Sequence, residues 1–232
     1  AFGDSDAFLD DFFSAGFSFD RCRCITIDKL PAAALYWFPA QSGEISLAYL
    51  YAVATEEAFR GQGLCHKLME DTHQHLTTLG HQGSLLVPGS ASLTSFYQGM
   101  GYVPFSTIRE FSCEASSAGV PLRKITAQEY ALLRRSALPP DGILQEGTTL
   151  AFLQTQAEFY TGAGVLLAAA KNDDTLTVPE LLGDADCAPG IVAQLGAKKG
   201  RFRTPGNNSP FAMYRCLAGK RLTGGYFGFA LD

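Results

Sequence analysis

One glycine-bearing loop in the first half of the sequence has the residue types and spacing needed to bind an anion. The loop consists of Arg60, Gly61, Gln62, Gly63, Leu64 and Cys65. It lies between a strand-like run at residues 45–54 and a helix-like run at residues 63–79. Unpaired N–H groups in the first turn of a helix, together with the helix dipole, attract phosphate, and glycines let it approach the backbone. The sequence therefore predicts a pyrophosphate-binding loop.

The type of nucleotide follows from the residues around the glycines. A kinase-type phosphate loop needs Lys and Ser or Thr after its last glycine, and neither follows here. The dinucleotide fingerprint needs Gly or Ala where His66 stands. Arg60 and Gly63 instead match the Gln/Arg-x-x-Gly-x-Gly/Ala loop, so that the segment resembles the acetyl-CoA pyrophosphate loop of the GNAT N-acetyltransferases. Cys65 departs from this pattern, although it is small enough to lie near a phosphate.

A second segment strengthens the resemblance. Residues 92–102 carry Phe96 and Tyr97 in a predicted helix, followed by Gly101 and Tyr102 at a turn into a strand. This order is similar to the second GNAT signature, and the resemblance covers roughly residues 20–113. It implies acetyl-CoA as a substrate and the primary amine of a small molecule or peptide as the acceptor.

The predicted fold class is α+β, with a mixed, mostly antiparallel sheet flanked by helices. The predicted elements of the first half are strands at 22–28, 32–39, 45–54, 84–87 and 102–113, and helices at 63–79 and 91–98. The polar, small-residue stretch at 114–119 predicts a boundary between a GNAT acetyl-CoA-binding catalytic domain at 1–115 and a second GNAT-like domain at 120–232. The second half ends in a predicted strand at 226–231 and has no Arg-x-x-Gly-x-Gly segment. It is therefore expected to be a degenerate copy with a structural or substrate-shaping role.

The resemblance also implies roles for individual residues. The main-chain amides of Tyr51, Ala52 and Val53, at the end of a strand that splays from its neighbour, would bind pantetheine and polarise the acetyl carbonyl. Ser92 could bond the same molecule. Tyr97 would be the general acid, since a phenol with a pKa near 10 is protonated at neutral pH and can return a proton to the CoA thiolate. The alternative for Tyr97 is a packing residue on the sheet.

The base and the reaction route are less determined. Glu44, Glu56, Glu57, the carboxylates at the end of residues 226–232, or ordered water could each accept the amine proton. Cys65, at a helix N-terminus where a thiol pKa is lowered, is a candidate nucleophile. Because the resemblance puts it at the pyrophosphate, we expect direct attack of the amine on the thioester. The alternatives are a non-catalytic acyl-CoA-binding or sensing protein and a structural protein without the cofactor.

Composition narrows the class of protein further. A formal net charge of -5 argues against a nucleic-acid partner. No run of residues is apolar enough to span a bilayer, and six cysteines without a Cys-x-x-Cys pair predict reduced thiols in a cytoplasmic protein. No metal is predicted, because the spacing of the four histidines does not fit a ligand set, and a solvent-facing helix is expected for them. The histidines are His66, His73, His75 and His81. The oligomeric state is open.

Overall fold

The structure, a computed structural model, describes residues 3–231 and divides into two compact units. The first unit comprises Ala1–Pro104, Gln145–Phe152 and Ala212–Thr223. The second unit comprises Phe105–Leu144, Leu153–Phe211 and Gly224–Asp232. Each unit therefore takes segments from both halves of the sequence.

The first unit contains a six-stranded sheet with helices. Its strands are β1 (Cys22–Ile27), β2 (Leu30–Ser42), β3 (Ile45–Thr55), β4 (Gly83–Leu86), β5 (Val103–Pro104) and β13 (Met213–Cys216). Its helices are α1 (Asp6–Asp11), α2 (Leu64–Thr78) and α3 (Ala91–Gln98), with a π-helical turn at Phe12–Gly16 and 3₁₀ turns at Phe19–Arg21 and Glu57–Phe59. The strand order is β1-β2-β3-β4-β13-β5, in which only β3 and β4 pair in parallel. This confirms the predicted mixed, mostly antiparallel α+β architecture.

The second unit contains a seven-stranded sheet. Its strands are β6 (Thr107–Glu114), β7 (Arg123–Ile125), β8 (Glu158–Gly162), β9 (Val165–Asn172), β10 (Thr175–Gly183), β11 (Lys199–Pro205) and β12 (Ser209–Pro210). Its helices are α4 (Ala127–Ala137) and α6 (Ala188–Gln194), with a 3₁₀ turn at Ala185–Cys187, and α5 (Thr148–Gln156) runs from one unit into the other. The strand order is β12-β6-β11-β10-β9-β8-β7. Among residues 3–231, no helix has the length and apolar character needed to cross a membrane.

The sheet of the first unit carries apolar side chains on both faces. Successive side chains of a strand point to opposite sides, so that neighbouring residues of β2 contribute to different faces. Leu35 and Trp37 of β2 join the core that includes Leu68 and Leu76 of α2. The intervening Tyr36 contacts an aromatic cluster on the other face, which includes Phe12, Phe38, Tyr51 and Phe152. This two-sided packing fixes β3 between two layers.

Two predicted strands differ from the structure. The strand predicted at 102–113 is divided, because β5 pairs with β13 in the first sheet whereas β6 pairs along residues 108–114 with β11 in the second. The predicted boundary at 115–120 therefore does not coincide with the division into units, and the roles assigned to the two halves stay predictions. The strand predicted at 226–231 is not formed: these residues belong to no ladder, and their carbonyls accept from separate groups that include the Ile143 N–H, the Ser106 hydroxyl and Arg203 Nη1.

Candidate active site

The strand β3 separates from β4 part of the way along its length. The parallel ladder between them joins Leu47, Ala48 and Tyr49 to residues 83–85 of β4. Past Tyr49, β2 is the partner of β3 among the described strands. Backbone groups on the β4 side of residues 50–55 therefore border an opening in the sheet, at the position where the sequence predicted a splayed strand.

A β-bulge lies in this opening. Tyr36 pairs with Tyr51 and Ala34 with Ala54, so that Leu35 alone faces two residues, Ala52 and Val53. Ala52 has a φ of 52°, a left-handed conformation that costs a residue with a side chain about 1–2 kcal/mol. Bulges and left-handed residues of this kind are concentrated at binding and catalytic sites. The structure thus brings the three residues predicted to hold the acetyl group to the bulge.

The loop after β3 forms an open approach to the N-terminus of α2. Gly61 and Gly63 have φ values of 76° and 74°, which glycine adopts without steric cost. A Cβ atom added to either glycine would meet no atom within 4 Å. Gly63 is also the N-cap residue of α2 and supplies no side chain to cover the first-turn N–H groups. These donors are therefore available to an external anion.

The side chains of the loop divide between solvent and core. Arg60 is exposed, and its Nε donates to the carbonyl of Thr55 at 3.2 Å. Gln62 is also exposed, whereas Leu64 and Cys65 are half-buried against the core of the first unit. Burial raises the pKa of the Cys65 thiol. This direction is opposite to the lowering considered from its place at a helix N-terminus, and the roles of Cys65 at the pyrophosphate or as a nucleophile stay predictions.

Tyr97 of α3 belongs to the same core cluster as the residues of the bulge and loop. It is 7% exposed, and Val53, Leu64 and Cys65 pack against the cluster that contains it. Burial, with a smaller effect of Cys65, raises the Tyr97 pKa to about 12. Its hydroxyl forms no hydrogen bond with the described part of the chain. Tyr97 therefore presents a protonated hydroxyl that is free to bond a ligand.

The other predicted polar residues lie at the surface. Ser92 is exposed in the first turn of α3, and its hydroxyl lies 2.9 Å from that of Ser90. Glu44 is in the hairpin before β3, about 25 Å along the strand from Ala52. Glu56 and Glu57 are exposed beside the 3₁₀ turn. Asp232 lies outside the described residues, so that the base predicted for the amine proton stays unassigned.

A buried polar network beside Tyr97 was not predicted. The hydroxyl of Tyr102 lies 2.8 Å from His73 Nε2 and 2.7 Å from Ser84 Oγ, and Arg215 Nη1 lies 2.9 Å from His73 Nδ1. Burial, then the Arg215 charge, lowers the His73 pKa to about 3. The expected solvent-facing position is wrong for His73, which is 2% exposed, and for the buried His81. The spacing of His73 from apolar Met69 and Leu76 was the available signal.

The second sheet repeats the strand geometry without the anion loop. The parallel ladder of β10 and β11 ends at Val178 and Phe202, and the register of β10 shifts between Thr177 and Glu180. Beyond the end of this ladder, the Thr204 hydroxyl of β11 donates to the Leu181 carbonyl of β10 at 2.8 Å, so that a side chain bridges the two strands.

The turn before α6 carries carboxylates in place of glycines. Asp184 accepts a hydrogen bond from the N–H of Asp186 at 2.9 Å, which occupies one of the donors that an anion would need. Because both side chains are acidic, this turn lacks the phosphate-binding features of Gly61 and Gly63.

The two sheets and the opening beside α2 define a GNAT-type architecture. Residues 40–114 match the family model described as an acetyltransferase (GNAT) domain, and this range contains both the 60–65 loop and Tyr97. The predicted resemblance to GNAT N-acetyltransferases is thereby confirmed for this segment of the chain. No curated protein matches the sequence.

Solved structures with the same fold include GCN5-related N-acetyltransferases from Kribbella flavida and Anabaena variabilis. The first is 17% identical with a TM-score of 0.65 over 84% of this chain and 59% of its own, and the second is 14% identical with a TM-score of 0.66 over 94% and 67%. A tandem GNAT protein from the clavulanic acid biosynthesis pathway is 10% identical, with a TM-score of 0.56 over 95% of this chain and 90% of its own. At these identities the comparison establishes the fold, and the chain spans about three fifths of the Kribbella protein's length.

Proposed function

We propose that the protein is an acetyl-CoA-dependent N-acetyltransferase that moves an acetyl group to a primary amine by direct attack on the thioester. The observation that carries this proposal is the bulge at Ala52, beside the opening between β3 and β4, followed along the chain by the glycine-bearing loop and the uncapped N-terminus of α2. A thioester with a pyrophosphate tail needs both features, an extended groove with free amides and an anion site at its end.

The loop, the amides of the bulge and Tyr97 have separate roles in the proposed reaction. The loop from Arg60 to Cys65 would bind the pyrophosphate, and the amides at Tyr51, Ala52 and Val53 would bind the pantetheine arm and the acetyl oxygen. The amine nitrogen forms a bond to the acetyl carbon and loses a proton to ordered water, the C–S bond breaks, and the CoA thiolate takes the proton of Tyr97. A hydroxyl with a pKa near 12 is protonated before the reaction and is reprotonated from solvent after it.

The acceptor, the compartment and the second unit are part of the same proposal. The acceptor is the amine of a small molecule or a peptide. The net charge of -5 supports this proposal, because a negatively charged protein attracts a cationic amine. All six cysteines are free, in keeping with a reducing cytoplasm. The Thr204 bridge and the Asp184 and Asp186 carboxylates support a structural or substrate-shaping role for the second unit, without acetyl-CoA of its own.

The first experiment is thermal unfolding of the purified protein with increasing acetyl-CoA. A ligand that binds only the folded state raises the midpoint in a concentration-dependent manner. A panel of amines is then tested with detection of the released thiol, and release that needs both substrates supports the enzyme. Binding without release for any amine would favour an acyl-CoA sensor, and the absence of binding would leave a structural protein.

A further inference from the structure

The hydroxyl of Tyr102 is the centre of a buried hydrogen-bonded chain with a fixed direction. Arg215 has only donors, so that His73 Nδ1 must accept its bond and His73 Nε2 must carry the proton. The Nε2–H then donates to the Tyr102 oxygen, and the Tyr102 proton is left to donate to Ser84 Oγ. Each donor and acceptor at the tyrosine oxygen has a partner, which leaves the ring a single orientation.

This chain is anchored at its far end by charge. Arg215 is contributed by β13, and its Nη2 donates to Glu70 of α2 at 3.1 Å while Nη1 holds His73. The guanidinium group of Arg215, on β13, therefore bonds two residues of α2. Because the guanidinium is planar and rigid, and its second nitrogen is bonded to Glu70, His73 is held against the sheet.

The ring of Tyr102 in turn packs against Tyr97. The two ring centroids are 5.8 Å apart in an edge-to-face arrangement with an interplanar angle of 66°, and the N–H of Tyr102 donates to the carbonyl of Tyr97 at 3.1 Å. The other ring near Tyr97 belongs to its neighbour Phe96, which is 42% exposed. Since the Tyr97 hydroxyl has no bond of its own to the described residues, its direction depends on the packing of its ring.

The same chain also reaches the opening in the sheet. Ser84 pairs with Ala48 in the β3–β4 ladder, one position before the ladder ends at Tyr49 and Leu85. One hydroxyl group thus joins the strand that borders the groove to the ring that supports Tyr97.

We infer that Tyr102 is a positioning residue, which acts by holding the ring of Tyr97 toward the groove. This inference rests on the proposed function, because Tyr97 must donate a proton for its orientation to affect the rate. A purely structural tyrosine would lower the stability of the protein and affect turnover equally with or without the Tyr97 hydroxyl.

The test is a double-mutant cycle with Tyr102→Phe, which keeps the ring and removes the hydroxyl. In the wild-type background we expect kcat to fall about tenfold or more, with the KM for acetyl-CoA changed less than about twofold. In the Tyr97→Phe background the same substitution should change kcat less than about twofold, because the group through which it acts is already absent. Equal losses in the two backgrounds would overturn the inference.

The matched control is Tyr130→Phe in the second unit, which also removes one hydroxyl from a fully buried tyrosine. It should lower the thermal midpoint and leave kcat at the wild-type value. A fall in kcat as large as that of Tyr102→Phe would assign the effect to lost stability and contradict the positioning role.

A readout without turnover separates this inference from the proposed function. Fluorotyrosine incorporated throughout the protein gives a ¹⁹F resonance for residue 97, assigned by its loss in Tyr97→Phe. Tyr102→Phe should shift or broaden that resonance, and Tyr130→Phe should leave it unchanged. An unmoved resonance overturns the inference whatever the activity. A protein that acetylates no amine while this resonance still moves would refute the proposed function alone.

Discussion

Acid should destabilise this protein, and a large part of the loss should come from one buried histidine, His73. His73 is buried, and its folded-state pKa of about 3 lies below its value of 6.5 in the unfolded chain. As the pH falls, His73 therefore binds a proton in the unfolded state before it does so in the folded state. The contribution of neutral His73 to the free energy of unfolding is fully present above pH 6.5 and is lost between pH 6.5 and 3. Protonated His73 would face Arg215, and the only carboxylate in that chain of contacts is Glu70.

The size of the effect follows from the shift in pKa. Each unit of difference corresponds to about 1.4 kcal/mol, so that the full shift of His73 is worth about 5 kcal/mol, of which about 4 kcal/mol is lost by pH 3. The loss relative to pH 7 should be about 1 kcal/mol at pH 5.5 and about 3 kcal/mol at pH 4.5. Losses of this size are a large part of the free energy of unfolding of an ordinary domain.

Urea unfolding at a series of pH values between 7 and 4.5 measures this loss. The variant His73→Gln cannot titrate, and its free energy of unfolding should depend on pH less steeply than that of the wild type by these amounts. The control is His66→Gln, which changes an exposed histidine of the same helix and should retain the wild-type slope. Identical slopes for the wild type and His73→Gln would refute the buried, neutral state of His73.

Three further predictions, one of them with a control variant, test the site and the second unit. Tyr97→Phe should lower kcat about 100-fold while the rise in thermal midpoint with acetyl-CoA is retained, and unchanged turnover would remove Tyr97 as the acid. Gly63→Ala puts a Cβ on a left-handed residue facing the groove, and calorimetric titration should detect at least about tenfold weaker acetyl-CoA binding. The control is Gly43→Ala, at a φ of 55° in the β2–β3 hairpin, which should lower stability as much as Gly63→Ala but leave acetyl-CoA binding unaltered. Equal acetyl-CoA binding by the two variants would contradict the anion loop. Glu180→Gln leaves Arg134 buried beside a neutral partner, and urea unfolding should report a loss of about 3–5 kcal/mol, which a loss below about 1 kcal/mol would contradict.

The local part of the fold could be predicted from the sequence because local rules determine it. Residues 91–98 were predicted as a helix and form α3, which Ser90 caps through its hydroxyl. The anion loop was predicted because Gly61 and Gly63 mark a conformation that few other residues adopt. Both features depend on neighbours within a few positions.

The pairing of distant strands could not be predicted in this way. Residues 211–216 have an apolar, strand-like pattern, but nothing in it specifies β4 as the partner of β13. Arg215 and Glu70 are therefore unremarkable charges in the sequence, although they meet in the structure at 3.1 Å. His73 is an intermediate case, because helical periodicity puts it on the apolar face of α2 but does not identify the tyrosine it bonds.

The position of β13 has a consequence for the order in which the protein can fold during synthesis. This strand lies between β4 and β5 in the first sheet, although about 130 residues separate it from β4 in the chain. Until the ribosome has passed residue 216, β4 has an open edge and β5 has no ladder partner in that sheet. Exposed strand edges invite pairing with other chains, and long-range pairing is slow. A gene fragment that stops after the anion loop and Tyr97 should therefore yield an aggregating chain instead of a small active enzyme.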